Sequence, residues 1–394
     1  MTKITTSNSK EVREEDTSFG TPSGVESELA SDDVSDLRIA EPFDPDDIEV
    51  ATRSMTIDLL LSRIRDNAID LSPDFQRRGG IWNEKRQSRL IESLLLRIPL
   101  PTLYAAEGQD ENWAIVDGIQ RLTTITRFIE PSLIGQPPLR LTGLEYLGRS
   151  FDDCVFDELP QRLKRRLRET ELVVHLIRHG TPPEVKFNIF ARINTGGMPL
   201  SAQELRHALI PGRARTYLAE LAASPAFKAA TAFSIKDERM ADREMVLRFL
   251  AFYLTRPEDF RAYDFDRFLG DAMRQIEFLS ERELSEIEIA FVKAMNSARV
   301  IFGDDAFRKR YRASDSRLPI NKALFETISV SLARLTDAEH EVCKTNGAFL
   351  KVRLMEQMGD REFEAAISQG TGDVRKVRKR FEDVSRIVRE TANV

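Results

Sequence analysis

Cysteine is almost absent. Cys154 and Cys343 are the only two in 394 residues, too few and too far apart for a disulfide framework. Four scattered histidines (His175, His179, His207 and His340) show no zinc-ligand spacing, so a structural metal is not expected. No stretch approaches the roughly 18–20 consecutive apolar residues of a membrane span, and the opening MTKITTSNSKEVREED has no apolar signal segment. A cytoplasmic protein is expected. Equally missing are GxxxxGK[ST], HExxH, GxSxG and any His/Asn constellation suited to an HNH nuclease. DNA cleavage by those routes is therefore not expected of this chain.

What is present is ordinary globular material, 41% hydrophobic and 31% charged, enough to build two cores. The charge is unevenly placed. Residues 1–50 hold 14 acidic and 4 basic side chains, so a chain of net charge -6 carries a positive remainder. This acidic, Ser/Thr-rich opening has few large apolar residues to offset its ordering entropy, and residues 1–45 are expected to be a disordered leader. It serves either as a solubilising tail or as a nucleic-acid mimic over a basic surface.

Periodicity organises the rest. Ile57, Leu60, Leu61 and Ile64 share one helical face, and residues 84–98 repeat the pattern with Leu90, Ile91, Leu94, Leu95 and Ile98 before Pro99. The runs LYAA and WAIV flank a turn-forming EGQDEN and predict a hairpin. WAIV then runs into DGIQRLTTITRFI, where Ile119, Leu122, Ile125 and Ile129 recur at helical spacing. DGIQR (117–121) thus sits where a strand becomes a helix. ELVVHLI (171–177) predicts a buried strand and EVKFNIFARI a helix. Ser201 and Glu204 form a capping box that opens AQELRHALI, with Leu200 and Leu205 placed as its hydrophobic staple. From residue 213 onward only helical patterns occur. The expected architecture is α+β, with one domain over 46–212 and an all-α domain over 213–394.

DGIQR is the best chemical candidate. The first turn of a helix offers unpaired N–H groups and a positive dipole end, which favour a phosphate. Gly118 lets a ligand approach the backbone, Gln120 and Arg121 project from the first turn, and Asp117 could hold Mg²⁺. The alternative is that Asp117 only caps the helix and Arg121 is a surface charge. DFQRR (74–78) supplies a second Gln-Arg pair with Trp82 behind it, and NTGG (194–197) is either an anion nest or a plain turn. Two basic runs, RLKRRLR (162–168, with Arg165 and Arg166) and FRKRYR (307–312, with Arg308 and Arg310), are either DNA contacts or solvated faces.

Four blocks, DFQRRGGIW, IESLLLRIPLP, IVDGIQRLTTITRFI and FNIFARINTGGMPLSAQELRHAL, resemble in order and spacing the DGQQR-motif family, the ParB/sulfiredoxin-like N-terminal domain of GmrSD-type restriction enzymes. The resemblance covers roughly residues 50–210. It implies nucleotide binding and hydrolysis coupled to restriction of modified foreign DNA. By position, Asp117, Gln120 and Arg121 match the catalytic motif, while Gln76, Arg77, Gly118, Asn194, Thr195 and Gly196 match nucleotide-binding positions. The family's first glutamine is Ile119 here, which can neither donate nor accept a hydrogen bond. The expectation is a nucleoside-triphosphate-binding, hydrolysing sensor subunit that uses Mg²⁺, targets DNA and works with a separate nuclease subunit. A non-hydrolysing, nucleotide-gated scaffold and a direct ParB-like endonuclease remain open.

Overall fold

The computed structural model describes residues 5–7, 10–16, 21–28, 48–71, 82–108, 111–193, 200–237, 239–261 and 264–394. They fall into two units, Phe43–Leu209 and a second made of Met1–Pro42 together with Ile210–Val394.

The first unit is built on β1 (Val50–Thr56), β2 (Ile69–Asp70), β3 (Leu103–Glu107), β4 (Trp113–Asp117) and β5 (Glu171–Ile177), ordered β1-β5-β3-β4-β2. The expected hairpin is the antiparallel β3–β4 pair; β1–β5 is also antiparallel, while β3–β5 and β2–β4 are parallel. Successive strand residues point to opposite faces, and both faces are covered. Ala105, Ile115 and Leu176 face α1 (Ile57–Arg65), α2 (Glu84–Leu95), α3 (Ile119–Ile129) and α4 (Gln161–Glu169). Their neighbours Ala106, Val116 and Ile177 meet Phe190 and Leu205 of α5 (Pro183–Ile193) and α6 (Ala202–Leu209). Each large aliphatic buried in this way contributes roughly 1.5–3 kcal/mol.

Helix α1 buries the four residues its spacing predicts, and Thr56 caps it by accepting from the Leu59 N–H. Helix α2 stops short of the expected residue 98. Arg97 takes φ +62°, and the Arg97 and Ile98 N–H groups donate back to Leu94 and Ser93. That closure ends the helix in the left-handed conformation and leaves Ile98 exposed.

The second unit is helical as expected. Helices α7 (Ala241–Leu254), α8 (Glu281–Phe302), α9 (Lys322–Ala333) and α10 (Val374–Ala392) share one core containing Phe249, Phe291, Phe325 and Phe381. Every residue of α9 is buried. The polar ones are matched: Glu326 accepts from Arg248 at 2.7 Å and from Arg380 at 2.6 Å.

The expectation of a disordered leader fails for part of residues 1–45. Glu14–Asp16 and Pro22–Glu26 pair as antiparallel strands and form a strap on the helical unit. Val25 is fully buried in its core, the Ile320 N–H donates to Gly24, and the Glu26 N–H donates to Ile320. The acidic residues meet buried cations, Glu15 with Lys322 at 2.7 Å, Glu26 with Lys309 at 2.6 Å and Glu28 with Arg248 at 2.5 Å. Burial works against the Glu28 anion, yet Arg248 and Lys322 override it and hold the carboxyl at about 2. Order here comes from adding carboxylates to buried cations: Lys322 and Arg248 also pair with Glu244, while Glu26 is the one acidic partner of Lys309 among the described residues, a long-range match that no apolar pattern announces. Residues 29–47 lie outside the described residues.

Candidate functional site

Strand β4 ends at Asp117 and α3 begins at Ile119, so the DGIQR turn occupies the expected junction. Gly118 joins them with φ +91°, a left-handed conformation that favours glycine. A Cβ at this position would also lie 2.2 Å from Leu103 Cδ2. No side chain caps the helix, and its first backbone bond runs from the Leu122 N–H to Gly118 O. Among the described residues the N–H groups of Ile119, Gln120 and Arg121 have no partner. They leave a donor set at the positive end of the helix dipole.

Asp117 is part-exposed, with Oδ2 accepting from Arg121 at 3.1 Å. Its Oδ1 has no partner among the described residues. Gln120 Oε1 accepts from the Trp82 backbone N–H at 3.4 Å, which brings the end of the DFQRRGGIW block to the motif. The Gln120 amide nitrogen is left able to donate. Ile119 packs against the apolar core with Leu122 and Ile125, so the departure from the family motif is an apolar contact.

Arg121 departs from expectation. Its guanidinium is buried and donates to the carbonyls of Pro101 and Thr102 as well as to Asp117. Burial lowers its pKa below the usual arginine value, opposed by Asp117. Instead of projecting into solvent to clamp a phosphate, it ties the turn to the segment before β3, because those carbonyls have no ladder partner and need a donor. Arg121→Ala is accordingly expected to cost roughly 2–3 kcal/mol, since two buried carbonyls and a carboxylate lose their donor. Urea unfolding monitored by circular dichroism measures it; an unchanged midpoint would contradict this bracing role.

Gln76, Arg77, Asn194, Thr195 and Gly196 lie outside the described residues. The capping box is present, with the Ser201 N–H donating to Glu204 at 2.6 Å and the Glu204 N–H to Ser201 Oγ at 3.1 Å. Beyond it α6, which lies against β4, carries Gln203, Arg206 and His207 fully or almost fully buried, with Arg206 Nε donating to Gln203 at 2.9 Å. These three were not singled out from the sequence, where AQELRHALI reads only as an amphipathic helix. Among the described residues no group of three His, Cys, Asp or Glu side chains could hold a metal by itself.

The two basic runs separate. Arg165 is exposed and Arg166 half-buried on α4. Arg308 is buried and donates to Asp304 O, Leu318 O and Ser234 Oγ; burial brings it down to about 10. Arg310 pairs with Asp305 at 2.6 Å and also donates to Ala313 O. Both side chains expected at a DNA contact thus already have partners, Arg308 backbone oxygens and Ser234, and Arg310 Asp305 and Ala313.

Four of the five sheet strands, the uncapped DGIQR turn and the capped α6 fall within residues 57–211, and those residues match the family model described as GmrSD restriction endonuclease, N-terminal domain. Residues 57–211 are a GmrSD-type N-terminal domain. The match covers less than half of the chain and leaves the helical unit unassigned. No curated protein and no solved structure matches the chain. The match suggests a component of a restriction or phage-defence system. No helix among the described residues is long and apolar enough to cross a membrane.

Proposed function

We propose that the turn Asp117–Arg121 binds the phosphates of a nucleoside triphosphate, and that this domain hydrolyses it as the sensor subunit of a system that targets DNA and recruits a separate nuclease subunit. The observation that carries the reading is the uncapped first turn of α3, whose three free N–H groups follow a left-handed glycine. Phosphate contact falls to this backbone and to the Gln120 amide, with Arg121 bracing the turn from behind. Asp117 fits a Mg²⁺ ion that also touches the phosphates, since that ion commonly takes one protein carboxylate and several waters and Asp117 Oδ1 is free. When bound, the ion would neutralise phosphate charge. The Gln120 amide is placed to orient a water. Ile119, held by the core, has no part in the chemistry.

A thermal-shift screen of ATP, GTP, CTP and UTP with Mg²⁺ tests the binding. A ligand at a hundred times its Kd stabilises the folded state by about 2.7 kcal/mol, so at least one triphosphate is expected to raise the melting temperature. No shift with any of the four refutes the proposal. Phosphate release from the triphosphate that binds then separates an NTPase from a nucleotide-gated scaffold, which would show binding without turnover.

A further inference from the structure

A groove of about 630 Å³ opens where the end of α2 meets α4 and the start of β5. Four arginines line it, Arg97, Arg162, Arg165 and Arg166, over a floor that includes Ile98 and Leu172. Two carboxylates on its rim do little to neutralise them. Glu171 accepts from Ser54 Oγ at 2.6 Å, and Glu169 approaches Arg165 only to 4.0 Å with both side chains largely exposed, a pair worth little in water. Among the described residues Arg97 and Arg162 have no acidic partner. Arg166 gives one hydrogen bond to Leu95 O at 3.1 Å; desolvation and then the charges of Arg97 and Arg162 lower its pKa. Four like charges are held together with little opposing charge.

Backbone strain points to the same place. Arg97 closes α2 at φ +62°, a position where glycine is the usual residue and a bulkier side chain is strained. The closure itself does not need a guanidinium, since it uses only backbone donors. Such strain is retained chiefly where the side chain has a use.

The groove also lies at the same end of the sheet as the DGIQR turn. Strands β3 and β5 run parallel, with Leu103 beside Val174, and β4 runs back to end with Asp117 opposite Tyr104. The groove residues Pro99 and Leu100 lead directly into Pro101 and Thr102, whose carbonyls Arg121 holds.

From these observations we infer that the groove formed by Arg97, Arg162, Arg165 and Arg166 is the surface on which this domain docks the phosphodiester backbone of duplex DNA. Guanidinium forks suit phosphate oxygens. No aromatic ring lines the groove to stack a base, so it reads charge and not sequence. The inference takes from the proposed function only its DNA targeting, and it does not need the nucleotide.

Fluorescence anisotropy with a labelled 30-base-pair duplex, without nucleotide and over a series of salt concentrations, tests it. Arg97→Gly removes the guanidinium and relieves the strain, so its melting temperature should stay level or rise while DNA affinity falls. Arg97→Gly combined with Arg162→Ala should lower the slope of log affinity against log salt by about two, roughly one per lost phosphate contact. Arg282→Ala, on an exposed face of the helical unit, should change neither. A wild-type protein that does not bind duplex, or a double variant with unchanged affinity and slope, overturns the inference. So does a labelled poly-glutamate peptide that loses binding in the double variant while duplex binding is unchanged, which would mark the groove as a site for an acidic protein.

Discussion

Gly118→Ala is expected to lower stability by roughly 3–4 kcal/mol and to weaken triphosphate binding more than tenfold. Two costs combine. An alanine at φ +91° is strained by about 1–2 kcal/mol, and its Cβ would sit 2.2 Å from Leu103 Cδ2 and 3.0 Å from Arg121 Nη2. Leu103 is almost fully buried, so it can yield only by repacking the core, typically another 1–3 kcal/mol. The turn would relax by swinging the first residues of α3 away, and the donor set would lose its convergence. Urea unfolding and equilibrium nucleotide binding on the same preparation check both parts. A variant of wild-type stability and affinity would show that the glycine does not shape the site.

Deleting residues 1–30 is expected to destabilise the helical unit by roughly 3–5 kcal/mol, the cost of removing one partner from a buried ion pair, here chiefly Lys309, since Lys322 and Arg248 keep Glu244. Lys309, Lys322 and Arg248 would lose Glu26, Glu15 and Glu28, and the core would lose Val25. Water reaching the exposed cations would soften the loss. A leader that only solubilises predicts no change instead, so thermal unfolding of the truncated protein decides between the two; a melting temperature equal to that of the full chain would contradict the docked strap.

The legible parts of this molecule are those set by local period. Ile57, Leu60, Leu61 and Ile64 are buried together because side chains three and four apart share a helical face. DGIQR could be placed at a strand-to-helix junction because the pattern changes there from period two to helical spacing. The role of Arg121 was not legible, since its partners, the carbonyls of Pro101 and Thr102, stand 20 and 19 residues earlier and arrive only through the hairpin. The strap was hidden for the same reason on a larger scale: Glu26 finds Lys309 across 283 residues. FRKRYR looks like a basic patch in one dimension, yet Arg308 turns inward to backbone oxygens. Arg97 in the groove, set apart from RLKRRLR by more than 60 residues of chain, could not be joined to it without the fold.

The central claim is that a triphosphate rests on the backbone N–H groups of the DGIQR turn. Amide proton–nitrogen NMR, with a non-hydrolysable triphosphate titrated into the full chain, reads those groups directly. The account predicts saturable shifts of the Ile119, Gln120 and Arg121 amides that are absent when inorganic sulfate replaces the nucleotide at the same ionic strength. Saturable nucleotide binding that leaves these three amides unmoved, or no binding at all, would contradict it.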